Sequence, residues 1–329
     1  MGRPIPALSS QQEFKAYLEE LLRAYDLPRS TSRSELRDLL NAEPARFCAH
    51  IGQLAGHLPE EAPVRQFLAS LLASYENLPR ILADPSAMGL REAVALARWI
   101  ARSEPLLDSR LARWLLRGLG SHPDPEAADP VRILRILDIL GTISESQRTV
   151  PTLVQLLRHR HPRVRSKAAL LAGRSLKSGQ WAQQWLTEAD PRVRANIVEA
   201  LWGIEAPGVV EVFKMALRDP HNRVVGNALV GLYMMGDPTA AELLIEMARH
   251  KSPSFRATAA WAMGYLEDSQ FLPTLGHMMR DPEPLVRRNV LRALARIKKA
   301  TNQALGRLPE PSSLEEPQQG GQADPNPAS

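Results

Sequence analysis

Cysteine is almost absent: Cys48 is the only one in 329 residues. An intramolecular disulfide and a cysteine-based zinc site are thereby excluded, and a reducing compartment is the natural expectation. Aromatic residues make up only 5% of the chain, which suits helices packed through small side chains better than an aromatic-rich β-sandwich. No apolar run approaches the roughly 20 residues that span a bilayer, so no membrane partner is expected. The opening MGRPIPALSS lacks the apolar segment of a secretory signal, and Pro6 stands where a myristoylation motif wants Ser or Thr. The expectation is a cytoplasmic protein. Negative charge is missing over one long stretch. From Ser146 to Thr187 there are eight Lys and Arg residues and no acid, which reads either as a solvated face or as an anion-attracting patch.

Chemistry-bearing motifs are missing too. There is no GxGxxG, no phosphate-binding GxxxxGK[ST], no HExxH and no nucleophile elbow. In HLPEE, His57 lies three residues before Glu60, but Pro59 between them marks a turn and not a metal-binding helix face. In HRHP (159–162) the arginines would repel a cation and no carboxylate is close in sequence. No cofactor, metal or catalytic constellation is expected, and the chain reads as a non-enzyme.

What the chain does contain is a repeat. Prolines fall at 130, 162, 191, 220, 253 and 282, with spacings of 32, 29, 29, 33 and 29. A period in this range is the mark of a solenoid. VPTLVQLLRHRHPRVR (150–165) matches LPTLGHMMRDPEPLVR (272–287) at Pro, Thr, Leu, Pro, Val and Arg. Each unit thus reads as a short helix A, such as GVVEVFKMALR, then a tight turn and a helix B. Asp190, Asp219 and Asp281 are expected at the N-cap of helix B, with the following proline at the first helical position.

Helix B is numbered from a recurrent arginine: Arg165, Arg194, Arg223, Arg256 and Arg287. At 100° per residue, positions three, four, six and seven share a face with the residue just before the arginine. In one unit these are Ile197, Val198, Ala200 and Leu201, with Val193; in another, Val290, Leu291, Ala293 and Leu294, with Val286. That stripe is the expected stacking face.

These DPxxxVRxxAxxAL-like runs, over about 130–300, resemble the HEAT-repeat family in the short bacterial form of phycobilisome-lyase-like repeat proteins. A degenerate copy, LPRILADPSAMGLREAVALARWI, stands near 78–100. The resemblance implies an all-α fold, an α-solenoid of stacked helical hairpins forming a HEAT-like superhelix. It also implies a ladder in which each recurrent arginine pairs with a neighbouring repeat's aspartate. His161 and Ser252 replace the aspartate in two units, and Arg132 lies one residue out of register, so the ladder is expected to weaken there.

The expected organisation is an N-terminal helical cap region over 1–77, a repeat array over 78–307 (clearest over 129–300) and an acidic tail over 308–329. Within the cap, 9–27 reads as an amphipathic helix with Ser10 as its cap. The tail is rich in Pro, Gln and Gly and carries acids without bases, so it is expected to be disordered and able to screen a basic surface. Trp181 and Trp185, four apart on a helix A, are expected to pack between repeats.

In HEAT arrays the B helices line the concave face. The column opposite the stacking stripe therefore supplies the candidate groove: Lys167, Arg174, Asn196, Val225, Leu232, Trp261, Tyr265, Arg288, Arg292 and Arg296. It reads as apolar and aromatic in the middle and basic at the ends. The favoured function is a protein–protein interaction scaffold that grips an apolar, acid-flanked partner segment. Two alternatives stay open: nucleic-acid binding, as in HEAT-like alkylpurine glycosylases, and an enzyme or accessory of the lyase-like type.

Overall fold

The computed structural model describes residues 10–25, 31–54, 63–120, 129–143 and 146–305. The acidic tail and the His57–Glu60 segment lie outside the described residues. Among the described residues there are eighteen α-helices and two short 3-10 turns, and no strand. The chain divides into two compact units, Met1–Ala241 and Glu242–Ser329.

The first unit opens on α1 (Gln11–Arg23), which starts where Ser10 and Glu13 form a reciprocal capping box. Its apolar face buries Phe14, Leu18 and Leu21. Then follow α2 (Ser32–Ala42), α3 (Pro44–Leu54) and α4 (Pro63–Ser74). The degenerate copy near 78–100 is a hairpin of α5 (Leu78–Ala83) and α6 (Leu90–Ser103). Further hairpins are α7 (Leu107–Gly120) with α8 (Pro130–Ile143), and α9 (Val150–Leu156) with α10 (Pro162–Leu176). After them come α11 (Gly179–Trp185) with α12 (Pro191–Glu199), and α13 (Val209–Ala216) with α14 (Asn222–Met234).

The B helices α3, α6, α8, α10, α12 and α14 pack each on the next, while in the A layer α5 packs on α7, α7 on α9 and α11 on α13. Helix α15 (Thr239–Met247) contains the division. In the second unit α16 (Pro253–Leu266) and α17 (Leu272–Met278) both pack on α18 (Pro284–Leu305).

The stacking stripe of α12 is as the periodicity predicts: Val193, Ile197, Val198, Ala200 and Leu201 are all buried. On α18, Leu291 is instead 55% exposed, because no further B helix follows among the described residues. Close approach between B helices depends on glycine. A Cβ on Gly173 would lie 2.5 Å from that of Ala200, and one on Gly264 2.5 Å from Cα and Cβ of Ala293. Trp181 and Trp185 stand 6.4 Å apart and pack against the core.

The numbering of helix B needs a correction. The N-caps are His161, Asp190, His221 and Ser252, and Glu283 holds the same place by its backbone bond from Arg287. Asp190 alone of the three predicted aspartates is an N-cap, accepting from the Arg192 N–H. Asp219 and Asp281 lie two residues earlier, where they accept from the N–H of His221 and of Glu283. Counting four residues on from each cap gives Arg165, Arg194, Val225, Arg256 and Arg287. Arg223 is therefore not a ladder residue, and it lies exposed. The residue preceding each true ladder position is apolar: Val164, Val193, Val224, Phe255 and Val286. Before Arg223 stands the polar Asn222, which marks Arg223 as two residues out of the ladder register.

Candidate functional site

The ladder is built from one arginine geometry used repeatedly. Arg194 Nη1 donates to the carbonyls of Glu188 and Ala189 in its own turn, at 2.7 and 3.2 Å. Its Nε and Nη2 reach the next hairpin, bidentate on Asp219 at 2.7 and 3.0 Å. Arg256 repeats this on Asp281, at 2.6 and 2.9 Å. Arg165 meets Glu188 at 3.2 Å, so the acid of its ladder step is a glutamate. The acid position is thus occupied by His159, Glu188, Asp219, His250 and Asp281.

At His159 and His250 the ring Nδ1 accepts the N–H of the cap residue, at 3.0 Å in both cases. HRHP therefore contains a turn-forming histidine, and no cluster of three or more metal-ligating side chains occurs among the described residues. Val225 and His250, the residues at the ladder positions on either side of Ala241, supply neither the guanidinium nor the carboxylate.

The hydrogen bond from Arg256 holds the Asp281 carboxyl below the usual carboxylate range. Burial alone would raise Asp219, but the bond from Arg194 and the His221 N–H bring it below that range as well.

The predicted column divides into side chains that stack and side chains that face outward. Six residues beyond the cap, Asn196 and Asn289 donate to carbonyls of the preceding B helix, Ser166 and Ala257, at 2.9 and 2.8 Å. Asn227 does the same to Ala195 at 2.8 Å and lies buried. This asparagine ladder went unnoticed in the sequence, although the spacing of Asn196, Asn227 and Asn289 repeats with the period.

Leu232 is buried in the core, 2% exposed, and does not line a groove. The two-residue slip explains it: Met234, 48% exposed, holds the outward position instead. Val225 is half-buried at the ladder site.

The two basic residues that the predicted column places in the first unit are paired. Lys167 Nζ lies 2.7 Å from Asp138, and Arg174 lies 4.0 Å from Glu199. Burial raises the pKa of Glu199, and Arg174 opposes that shift.

In the second unit, α16 and α18 form a cavity of about 430 Å³ lined by Trp261, Gly264, Asn289, Arg292, Ala293 and Arg296. Trp261 and Tyr265, one turn apart on α16, stack with centroids 5.7 Å apart, and Tyr265 is 40% exposed. Arg288, Arg292 and Arg296 recur every fourth residue along one side of α18, and all three are exposed. The arrangement offers a flat aromatic surface beside guanidinium groups. That suits an apolar anchor with acidic neighbours, and it contains no nucleophile–base pair.

Helix hairpins in two layers, tied by an arginine–carboxylate ladder, define an α-solenoid. The particular repeat is indicated by comparison: residues 179–255 and 243–314 match the family of HEAT repeats. A comparison with curated proteins returns no match. HEAT repeats generally mediate protein–protein interactions. No helix described is long and apolar enough to cross a membrane.

Proposed function

We propose that the chain is a non-catalytic interaction scaffold whose α16–α18 cavity grips a partner segment carrying an apolar anchor and flanking acids. The observation that carries this reading is the stacked Trp261–Tyr265 pair beside Arg292 and Arg296, the residue types that dominate binding hot spots. Lys167, Arg174, Asn196 and Val225 play no part in it: their polar or charged groups are committed to neighbouring hairpins, or the residue holds a ladder place. Residues 1–77 would serve as the polar end-cap that a solenoid needs, and a cytoplasmic location accords with the single reduced-form cysteine. A nucleic-acid role has less support, because a backbone-tracking surface needs unpaired cations in most repeats.

The test is selection of binders from a displayed random-peptide library on the full-length chain. Selected peptides should pair an apolar residue with Asp or Glu. Trp261→Ala should weaken the best of them by about 2 kcal/mol, and Tyr265→Ala, at a more exposed position, should weaken them with no change in melting temperature. Peptides that bind the wild type and both variants equally would place the partner surface elsewhere.

A further inference from the structure

From α10 to α16, every B helix buries the residues four and seven places beyond its ladder position, as with Val198 and Leu201 on α12 or Ala260 and Met263 on α16. On α18 the same two places hold Leu291, 55% exposed, and the half-buried Leu294. The face that stacks in the other hairpins is left in water here, and covering it would be favourable.

Arg287, the ladder arginine of α18, gives the second observation. Like Arg194 and Arg256, it donates from Nη1 to two carbonyls of its own turn, those of Asp281 and Pro282, at 2.6 and 2.8 Å. In Arg194 and Arg256 that anchorage aims Nε and Nη2 at an aspartate of the next hairpin. For Arg287 no carboxylate among the described residues takes that place. Asp281 acts on it through charge, but both carboxylate oxygens are held by Arg256. Glu283, at the cap one turn earlier, is exposed and forms no ion pair with it. Farther along the same stripe stands the exposed Lys298, about three full turns on.

We propose that the chain's own segment 310–316 lies antiparallel along this face and takes the place of a next hairpin. The order of residue types matches. The segment reads Glu310, then Leu314, then Glu315 and Glu316. The face, taken from its C-terminal end, offers Lys298, Leu294 with Leu291, and Arg287. The spacing matches as well. Lys298 and Arg287 are about 16 Å apart along the helix, and Glu310 and Glu315 are about 16 Å apart in the extended form that Pro309 and Pro311 favour. Leu314 then falls at the level of Leu291. The reversal is short enough: Lys298 lies about 10 Å back from the end of α18, within the roughly 16 Å that five extended residues reach. Arg288, Arg292 and Arg296 lie about 100–180° round the helix from Arg287, so this contact is separate from the α16–α18 cavity and goes beyond the function proposed for it.

The experiment traps the contact as a disulfide in the full-length chain, whose own Cys48 is buried. Leu314→Cys is combined either with Leu291→Cys or with Lys299→Cys, an exposed place on another side of α18. Rates in oxidised glutathione at low salt are normalised to the reactivity of each single cysteine variant. An undocked segment would reach position 299 more readily, because the loop to be closed is shorter. The Leu291→Cys pair should instead close at least fivefold faster, within one chain. Adding Glu315→Lys and Glu316→Lys should remove that advantage, while adding Asp324→Lys, an acid beyond the segment, should leave the rate within twofold. Equal or reversed rates for the two pairs, equal losses for the two sets of charge reversals, disulfides between chains, or no trapping at all would overturn the proposal.

Discussion

Two arginines hold hairpins together in different parts of the first unit, and they do it by different means. Arg194 uses a carboxylate, Asp219, which recurs with the repeat. Arg135, on α8, uses none: its Nε donates to the Leu82 carbonyl at 2.6 Å, and Nη2 to those of Met88 and Gly89 at 2.8 and 3.2 Å. All three acceptors lie in the α5–α6 hairpin. Arg135 sits six residues beyond its cap, where the later hairpins carry Asn196, Asn227 and Asn289. In α8, α12, α14 and α18 the same place in the hairpin thus ties one B helix to the segment before it. In the early hairpin the acceptors are the carbonyls of α5 and of the α5–α6 turn, and one guanidinium reaches all three. The comparison separates a periodic, titratable tie from a solitary one made to backbone.

The largest effect should come from the solitary tie. Arg135 is 7% exposed, and Arg135→Ala would leave buried carbonyls without donors, at a cost of about 3–4 kcal/mol. Urea unfolding at neutral pH measures it. A loss below about 1 kcal/mol would mean that water replaces the guanidinium in that turn.

Arg194→Ala should cost somewhat less, about 2–3 kcal/mol, because it leaves the Asp219 carboxylate nearly buried and unpaired. The pH dependence distinguishes the two arginines. Asp219 titrates below its unfolded value, so its contribution is complete above that value, about 3.9, and is lost as pH falls through the lower folded value. The cost of Arg194→Ala should therefore shrink in acid. The cost of Arg135→Ala should change far less over the same range, because its hydrogen-bond partners do not titrate. Parallel declines would show that both ties rest on carboxylates.

What was legible in the sequence follows from the same contrast. The period, the two-helix unit and the buried stripe of α12 were readable because burial at 3.6-residue spacing repeats in one dimension. The ladder could be anticipated, through the family resemblance, because an arginine and an acid recur. Arg135 was not legible, since a backbone carbonyl has no residue type. Its neighbour Arg132, which looked like a displaced ladder residue, is instead exposed and pairs with Asp129 at 3.5 Å. The aromatic cavity was half legible. Trp261, Tyr265, Arg292 and Arg296 do gather on one side of α16 and α18, whereas Lys167 and Arg174 are neutralised by carboxylates distant in sequence.

The smallest effect is the one that decides the register of α14. If Arg223 were the ladder arginine, its loss would resemble that of Arg194. In the structure it projects from the first turn of α14 into solvent, and its backbone N–H, which alanine retains, makes the cap bond to His221 at 3.3 Å. Arg223→Ala should therefore lie within about 0.5 kcal/mol of wild type. Arg163 and Arg192 occupy the equivalent place two residues before Arg165 and Arg194, and both are exposed. Arg163→Ala should be equally silent. Arg192→Ala forfeits only a surface pair with Asp190, so its effect should stay far below that of Arg194→Ala. A loss at Arg223 approaching that at Arg194 would return the ladder to Arg223 and move Val225 out of it.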